Sequence, residues 1–225
     1  YDGTTWTTPA ITGVTSSTLV NVTQWKSRLW FTQKNTLSVW YLPTSSIAGA
    51  ASELPLGSVF RRGGYVMAIG TFSRDSGDGL DDYLAIITSN GEIAVYQGTD
   101  PTSASTFALV GIFYTGKPLG RRCTVRLNGD MTIITADGVM SMQALLEFGR
   151  EADQKAAITA KIQTLFSQNS KLYSANFGWQ AQTFPKARYL IINVPQVENS
   201  TRAQFVMNTV TGAWCQFSNL NGGCW

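Results

Sequence analysis

Histidine is absent from this chain of 225 residues, which removes imidazole metal ligands and every catalytic triad built on a histidine base. Charge is scarce too. Asp, Glu, Lys and Arg make up 14% of the residues, against about 25% in an ordinary soluble domain. The formal net charge of +3 is too small to argue nucleic-acid binding, and Arg61-Arg62 and Arg121-Arg122 are short pairs, not a stripe. Cys123, Cys215 and Cys224 have no CxxC spacing, and an odd count argues against a disulfide framework. A Cys215–Cys224 loop remains open. No apolar run approaches the roughly 18 residues of a membrane span, and no signal peptide is visible. P-loop and G-x-G-x-x-G patterns are missing; Gly63-Gly64 matches a phosphate-cradling turn only superficially, so no nucleotide cofactor is expected. The chain begins at Tyr1 and ends on Cys224-Trp225, which reads as a piece of a longer protein.

What is present is apolar and turn-rich. Hydrophobic residues reach 44% and aromatics 12%, enough for a sizeable core. Thr, Ser, Asn and Gly fill the polar positions, supplying side-chain bonds to the backbone and positive φ angles at turns. Three segments align without a gap: Leu29 to Trp40, Ala85 to Tyr96, and Thr132 to Met142. Each has an apolar strand ending in Thr32, Thr88 or Thr135, a tight turn, and a second alternating strand. Three residues after the Thr stands Asn35, Gly91 or Gly138, types that tolerate positive φ. Asn90-Gly91 and Asp137-Gly138 are strong hairpin signals. A looser fourth copy runs from Gln204 to Phe217, with Asn208 at the Thr position and Gly212 in the turn.

The linkers repeat as well. Pro43-Thr44-Ser45, Pro55-Leu56-Gly57 and Arg61-Arg62 follow the first hairpin; Pro101-Thr102-Ser103, Pro118-Leu119-Gly120 and Arg121-Arg122 follow the second. The first intervals between copies are near the about 40–50 residues of a four-stranded propeller blade. Outer strands are expected at Tyr65–Phe72, Phe107–Tyr114 and Arg188–Val194. Single hairpins are too small to be stable, so the units must stack. The expected fold is therefore all-β: a β-propeller-like repeat of antiparallel blades spanning residues 1–225. Between 141 and 170 the pattern turns helical. Ala-rich spacing with Ile158, Ile162, Leu165 and Phe166 predicts one inserted helix at about Asp153–Gln168, packed on the blades.

Candidate sites are few. Asp75, Asp78, Asp81 and Asp82 crowd one Gly-containing turn. Asp75, Asp78 and Asp82 are the candidates for a cation loop, since hard cations need several carboxylate oxygens. Arg74 occupies the first ligand position and Ser76 the third, so a solvated acidic turn is the preferred reading and no metal is assigned. A glycosidase pair needs carboxylates facing across a cleft, which one turn does not provide. Trp6, Trp25, Trp30, Trp40, Trp179, Trp214 and Trp225 could stack sugars or bases; core and inter-blade packing is preferred. No catalytic residue and no cofactor site is assigned.

The phrases Asn21 to Phe31, Trp40-Tyr-Leu-Pro43, Phe60-Arg-Arg-Gly-Gly-Tyr65, Asp78 to Tyr83, Glu92 to Pro101, Gly120-Arg-Arg-Cys123 and Phe205 to Trp214 resemble structural proteins of tailed bacteriophages and prophages. The similarity is to the tail nozzle or hub (tail tubular) proteins of short-tailed phages, and it runs from about residue 20 to the end. It implies a propeller-containing, non-enzymatic virion subunit in a homo-oligomeric ring, usually a hexamer, below the portal and adaptor. Such a ring retains and then passes genomic DNA without specific binding, and holds fibres or spikes. The alternative is a propeller module that binds carbohydrate or protein at a cell surface.

Overall fold

The computed structural model describes residues 3–75, 80–127, 129–148, 157–218, 220 and 222. Strand accounts for 47% of the described residues, so the all-β expectation holds. Short strands β1 (Ile11–Thr12) and β5 (Gly49–Ala50) pair in parallel. The other strands form antiparallel meanders in chain order. Sheet B contains β2 (Leu19–Trp25), β3 (Arg28–Gln33), β4 (Ser38–Tyr41) and β6 (Ser52–Pro55). Sheet C contains β7 (Val66–Asp75), β8 (Leu80–Thr88), β9 (Glu92–Gly98) and β10 (Phe107–Tyr114). Sheet D has three strands: β11 (Thr124–Leu127), β12 (Asp130–Thr135) and β13 (Gly138–Ser141). Sheet E contains β14 (Gln180–Phe184), β15 (Tyr189–Pro195), β16 (Arg202–Asn208) and β17 (Trp214–Phe217). Helices α1 (Met142–Phe148) and α2 (Gln163–Tyr173) lie between sheets D and E in the chain. The described sheets do not close into a propeller.

Sheet C is covered on both faces. Leu84, Ile86, Ala94 and Tyr96 join a cluster with Trp25, Trp30, Val39 and Tyr41 of sheet B. Their neighbours in sequence, Ala85, Ile87, Ile93 and Val95, join a second cluster with sheets D and E. Alternate residues of a strand point to opposite faces, so a doubly covered strand reads as a continuous apolar run, as Leu84–Ile87 does. Strand β7 keeps the same division despite a bulge between Val66 and Ala68, which puts Val66 and Ile69 on one side. Aromatic rings fill the space between sheets B and C. Trp30 lies 5.0 Å from Tyr41 and 6.0 Å from Phe107, and Tyr96 stacks on Phe107 at 4.8 Å. On the other side β7 comes so close to β12 that an added Cβ at Gly70 would collide with the Met131 sulfur.

The repeated turns share a positive φ, and in three of the four the Thr or Asn side chain bonds its own turn; Thr32 Oγ1 has no partner among the described residues. Asn35, Gly91, Gly138 and Gly212 all have positive φ. Thr88 Oγ1 accepts the Glu92 amide at 3.0 Å. Thr135 Oγ1 donates to the Gly138 carbonyl at 2.9 Å and accepts the Asp137 amide. Asn208 Oδ1 accepts the Val210 and Thr211 amides. The first three hairpins, β3–β4, β8–β9 and β12–β13, join the second and third strands of their sheets. The fourth copy is a correction: it is β16–β17, the third and fourth strands of sheet E. Of the expected outer strands, β10 is an edge strand and β7 begins its sheet, whereas β15 is internal.

The predicted helix Asp153–Gln168 is also corrected. Residues 153–156 lie outside the described residues, and α2 runs from Gln163 to Tyr173 after a short 3-10 turn. Residues 157–159 are held along β13 instead, where the Ile158 amide donates to the Val139 carbonyl at 2.9 Å and Thr159 Oγ1 accepts the Val139 amide at 3.1 Å. Backbone pairing to an open sheet edge overrides helical propensity here. As expected, the helix packs inward: Phe166 is buried against Trp179 and Phe205, with Ile158 and Ile162 beside it.

Gly91 tests the turn chemistry. An added Cβ would collide with the Thr115 carbonyl at a φ of +78°, so Gly91→Ala is expected to lower unfolding stability by about 2–4 kcal/mol. Asn35→Gly, in the equivalent turn, is expected to change it by less than about 1 kcal/mol. Urea titrations of both variants compare the two.

Candidate functional site

The first strands of the four sheets lie side by side, β2 beside β7, β7 beside β11, and β11 beside β14. Functional groups collect around them. A cleft of about 500 Å³ opens between β2 and the segments leading into β11 and β14. Val22 and Phe177 are exposed in its walls. Its polar end is ordered by the chain itself: Asn21 Nδ2 donates to the Arg121 carbonyl at 3.3 Å, and Arg122 donates to Gln180 Oε1 at 3.3 Å. Arg122 and Gln180 also form a parallel backbone bridge. The Arg121 guanidinium lies 5.3 Å from the Tyr65 ring centroid. Its Nη1 is buried without a hydrogen-bond partner. An apolar wall beside a guanidinium suits a polypeptide or amphiphile carrying one acidic group.

The second basic pair is structural. Glu92 is fully buried, and its two carboxylate oxygens accept the backbone amides of Arg61 and Arg62 at 3.1 and 2.8 Å. Arg62 in turn lies 4.4 Å from the Tyr114 ring centroid. The linker repeat thus places an arginine over a tyrosine twice.

Of the cation-loop candidates, Asp78 and the Asp75 side chain lie outside the described residues. Asp82 is bound by the protein itself. Ser73 Oγ donates to it at 2.6 Å and Lys26 Nζ approaches at 3.4 Å. The Ser73 hydrogen bond, helped by Lys26 and Arg126, holds its carboxyl below the usual carboxylate range against the opposing effect of burial. Among the described residues no group of three potential ligands forms a metal site.

The tryptophans follow the packing reading. Trp25, Trp30 and Trp179 are buried, and Trp40 and Trp214 are half-buried against core clusters. Trp6 is exposed, and Trp225 lies outside the described residues. Cys123 is buried, while Cys215 is exposed; Cys224, its proposed partner, lies outside the described residues. No helix among the described residues is long and apolar enough to cross a membrane.

No family profile and no curated protein matches the chain.

Two titrating groups give direct tests. Burial pushes the Cys123 thiol up to about 12, so the reactive thiolate is scarce at neutral pH. Peptide mapping after iodoacetamide labelling is expected to find Cys123 unmodified in the native protein and modified in urea, with Cys215 modified in both. Burial also raises the Asp130 carboxyl, although Ser141 Oγ and the Met131 and Gln143 amides donate to it. A raised folded value means that the native state holds this proton longer than the unfolded chain. Its stabilisation is full below the unfolded value and is lost as pH rises through the folded one. Thermal melts between about pH 4 and 7 are therefore expected to show wild type losing stability relative to Asp130→Asn as pH rises.

Proposed function

We propose that this chain is part of a β-propeller in a tail nozzle or hub subunit of a short-tailed bacteriophage or prophage, working as architecture and not as an enzyme. The observation that carries this reading is the serial stacking of sheets. Consecutive meanders of three or four strands set their first strands side by side, and sheet C is buried on both faces. That is how propeller blades satisfy their two apolar faces. Phrases that carry the resemblance occupy packing positions: Trp25 and Trp30 lie between sheets B and C, and Cys123 lies in the core shared by sheets C, D and E.

In this reading the subunit joins a homo-oligomeric ring, a hexamer by resemblance, between a tail adaptor and fibres or spikes. Genomic DNA is retained by the channel and then passes through it. The net charge of +3 suits passage better than capture, because each neutralised phosphate adds salt-dependent affinity. The test is mass spectrometry of purified virions, followed by cryo-electron microscopy of the tail. The protein is expected in stoichiometric multiples of a ring below the portal, and its absence from virions overturns the proposal.

A further inference from the structure

A second groove, of about 410 Å³, lies where the end of β11 meets β14 and the turn before β15. Arg126 and Arg188 both line it, with Thr183, Tyr189 and Thr209, and no carboxylate does. The ion pairs among the described residues join Lys26 to Asp82, Arg28 to Asp100 and Arg74 to Glu147; neither groove arginine takes part. Asp82 is the acidic group nearest in effect, and it is held first by Ser73 and Lys26. Two positive side chains lining one groove, with no carboxylate in its lining, favour an anion there.

The Arg126 side chain and the Arg188 backbone are each held by hydrogen bonds. Arg126 Nε donates to the Thr71 carbonyl at 3.2 Å, which orients the guanidinium, and its charge also acts on Asp82. Arg188 sits in the left-handed region, φ 57° and ψ 45°, where Gly or Asn would be less strained. Its backbone is clamped there: its amide donates to the Pro185 carbonyl at 3.0 Å, and its carbonyl accepts the Thr209 amide at 2.8 Å and Thr209 Oγ1 at 3.2 Å. A strained backbone held by several bonds is a recurrent sign of a functional position.

We infer that this groove is an oxyanion site that takes a phosphate group between Arg126 and Arg188. The planar guanidinium fork matches phosphate oxygens in pairs, and the Thr183 and Tyr189 hydroxyls are neutral donors beside it. The inference does not depend on the tail reading. The phosphate could be free or part of a nucleic-acid backbone, and the experiment separates the two.

The test is isothermal titration of the whole chain with inorganic phosphate at constant ionic strength. Saturable binding is expected, weakened about tenfold or more in Arg126→Gln and in Arg188→Gly. Arg188→Gly relieves the backbone strain, so its melting temperature is expected to equal or exceed that of wild type while binding falls. That combination is not produced by a purely structural arginine. Arg188→Lys is expected to keep part of the affinity. A short single-stranded oligonucleotide that competes with phosphate identifies a phosphodiester ligand; one that does not compete identifies free phosphate. Absence of saturable phosphate binding to wild type, or undiminished binding in a folded Arg126→Gln/Arg188→Gly double variant, overturns the inference.

Discussion

Everything in this molecule depends on covering both faces of a narrow sheet. A four-stranded meander such as sheet C buries Ile86 on one side and Ile87 on the other. Burying a side chain of that size is worth about 1.5–3 kcal/mol, and a single neighbour can cover only one face. Sheets of this kind must therefore stack in series, and the first strands come together because the meander always starts from the same side. The scarcity of charge follows. With interior sheets apolar on both faces, charged positions are left only at strand ends, turns and the outer faces of the stack.

The two ends of the stack solve the problem differently. The outer face of sheet B carries Phe31, with Leu42, Ala51, Ile11, Val14 and Leu19 packed beside it, so the N-terminal segment covers it with apolar groups. The corresponding face of sheet E holds a cross-strand row of amides, Gln180, Asn193 and Gln204. Asn193 and Gln204 are buried, and Asn193 Oδ1 and Gln204 Oε1 have no hydrogen-bond partner among the described residues. Gln204 does donate to the Leu220 carbonyl, so the chain beyond β17 returns to this face. Buried acceptors without donors cost about 1–3 kcal/mol each. The sheet E end of the stack is accordingly the less well satisfied of the two.

The hairpins were legible in the sequence because their signals are local. A Thr or Asn able to bond its own turn, as Thr88, Thr135 and Asn208 do, and a residue that accepts positive φ three or four positions later, need no tertiary partner to be recognised. The same locality explains the misplaced fourth copy. Asn208 and Gly212 make the same kind of turn as Thr88 and Gly91, but turn chemistry does not encode whether a hairpin joins the second and third strands or the third and fourth. The helix start was misread for the opposite reason. Residues 157–159 have helical composition, and only bonds to Val139 on the open edge of β13 hold them in a turn ahead of the helix.

Charge shows the limit of reading by adjacency. Arg61-Arg62 and Arg121-Arg122 stand out as pairs, yet Glu92 clasps the backbone amides of the first pair, and Arg62 and Arg121 lie over Tyr114 and Tyr65. A guanidinium over an aromatic face keeps its charge while its flat surface packs, so these residues join segments together. Arg126 and Arg188 are isolated in the sequence and carry no motif. They share a groove only because β11 lies beside β14, a contact created by the stacking of sheets D and E. Sequence neighbours such as Arg61-Arg62 are thus committed to packing, whereas Arg126 and Arg188 are brought together by the fold alone.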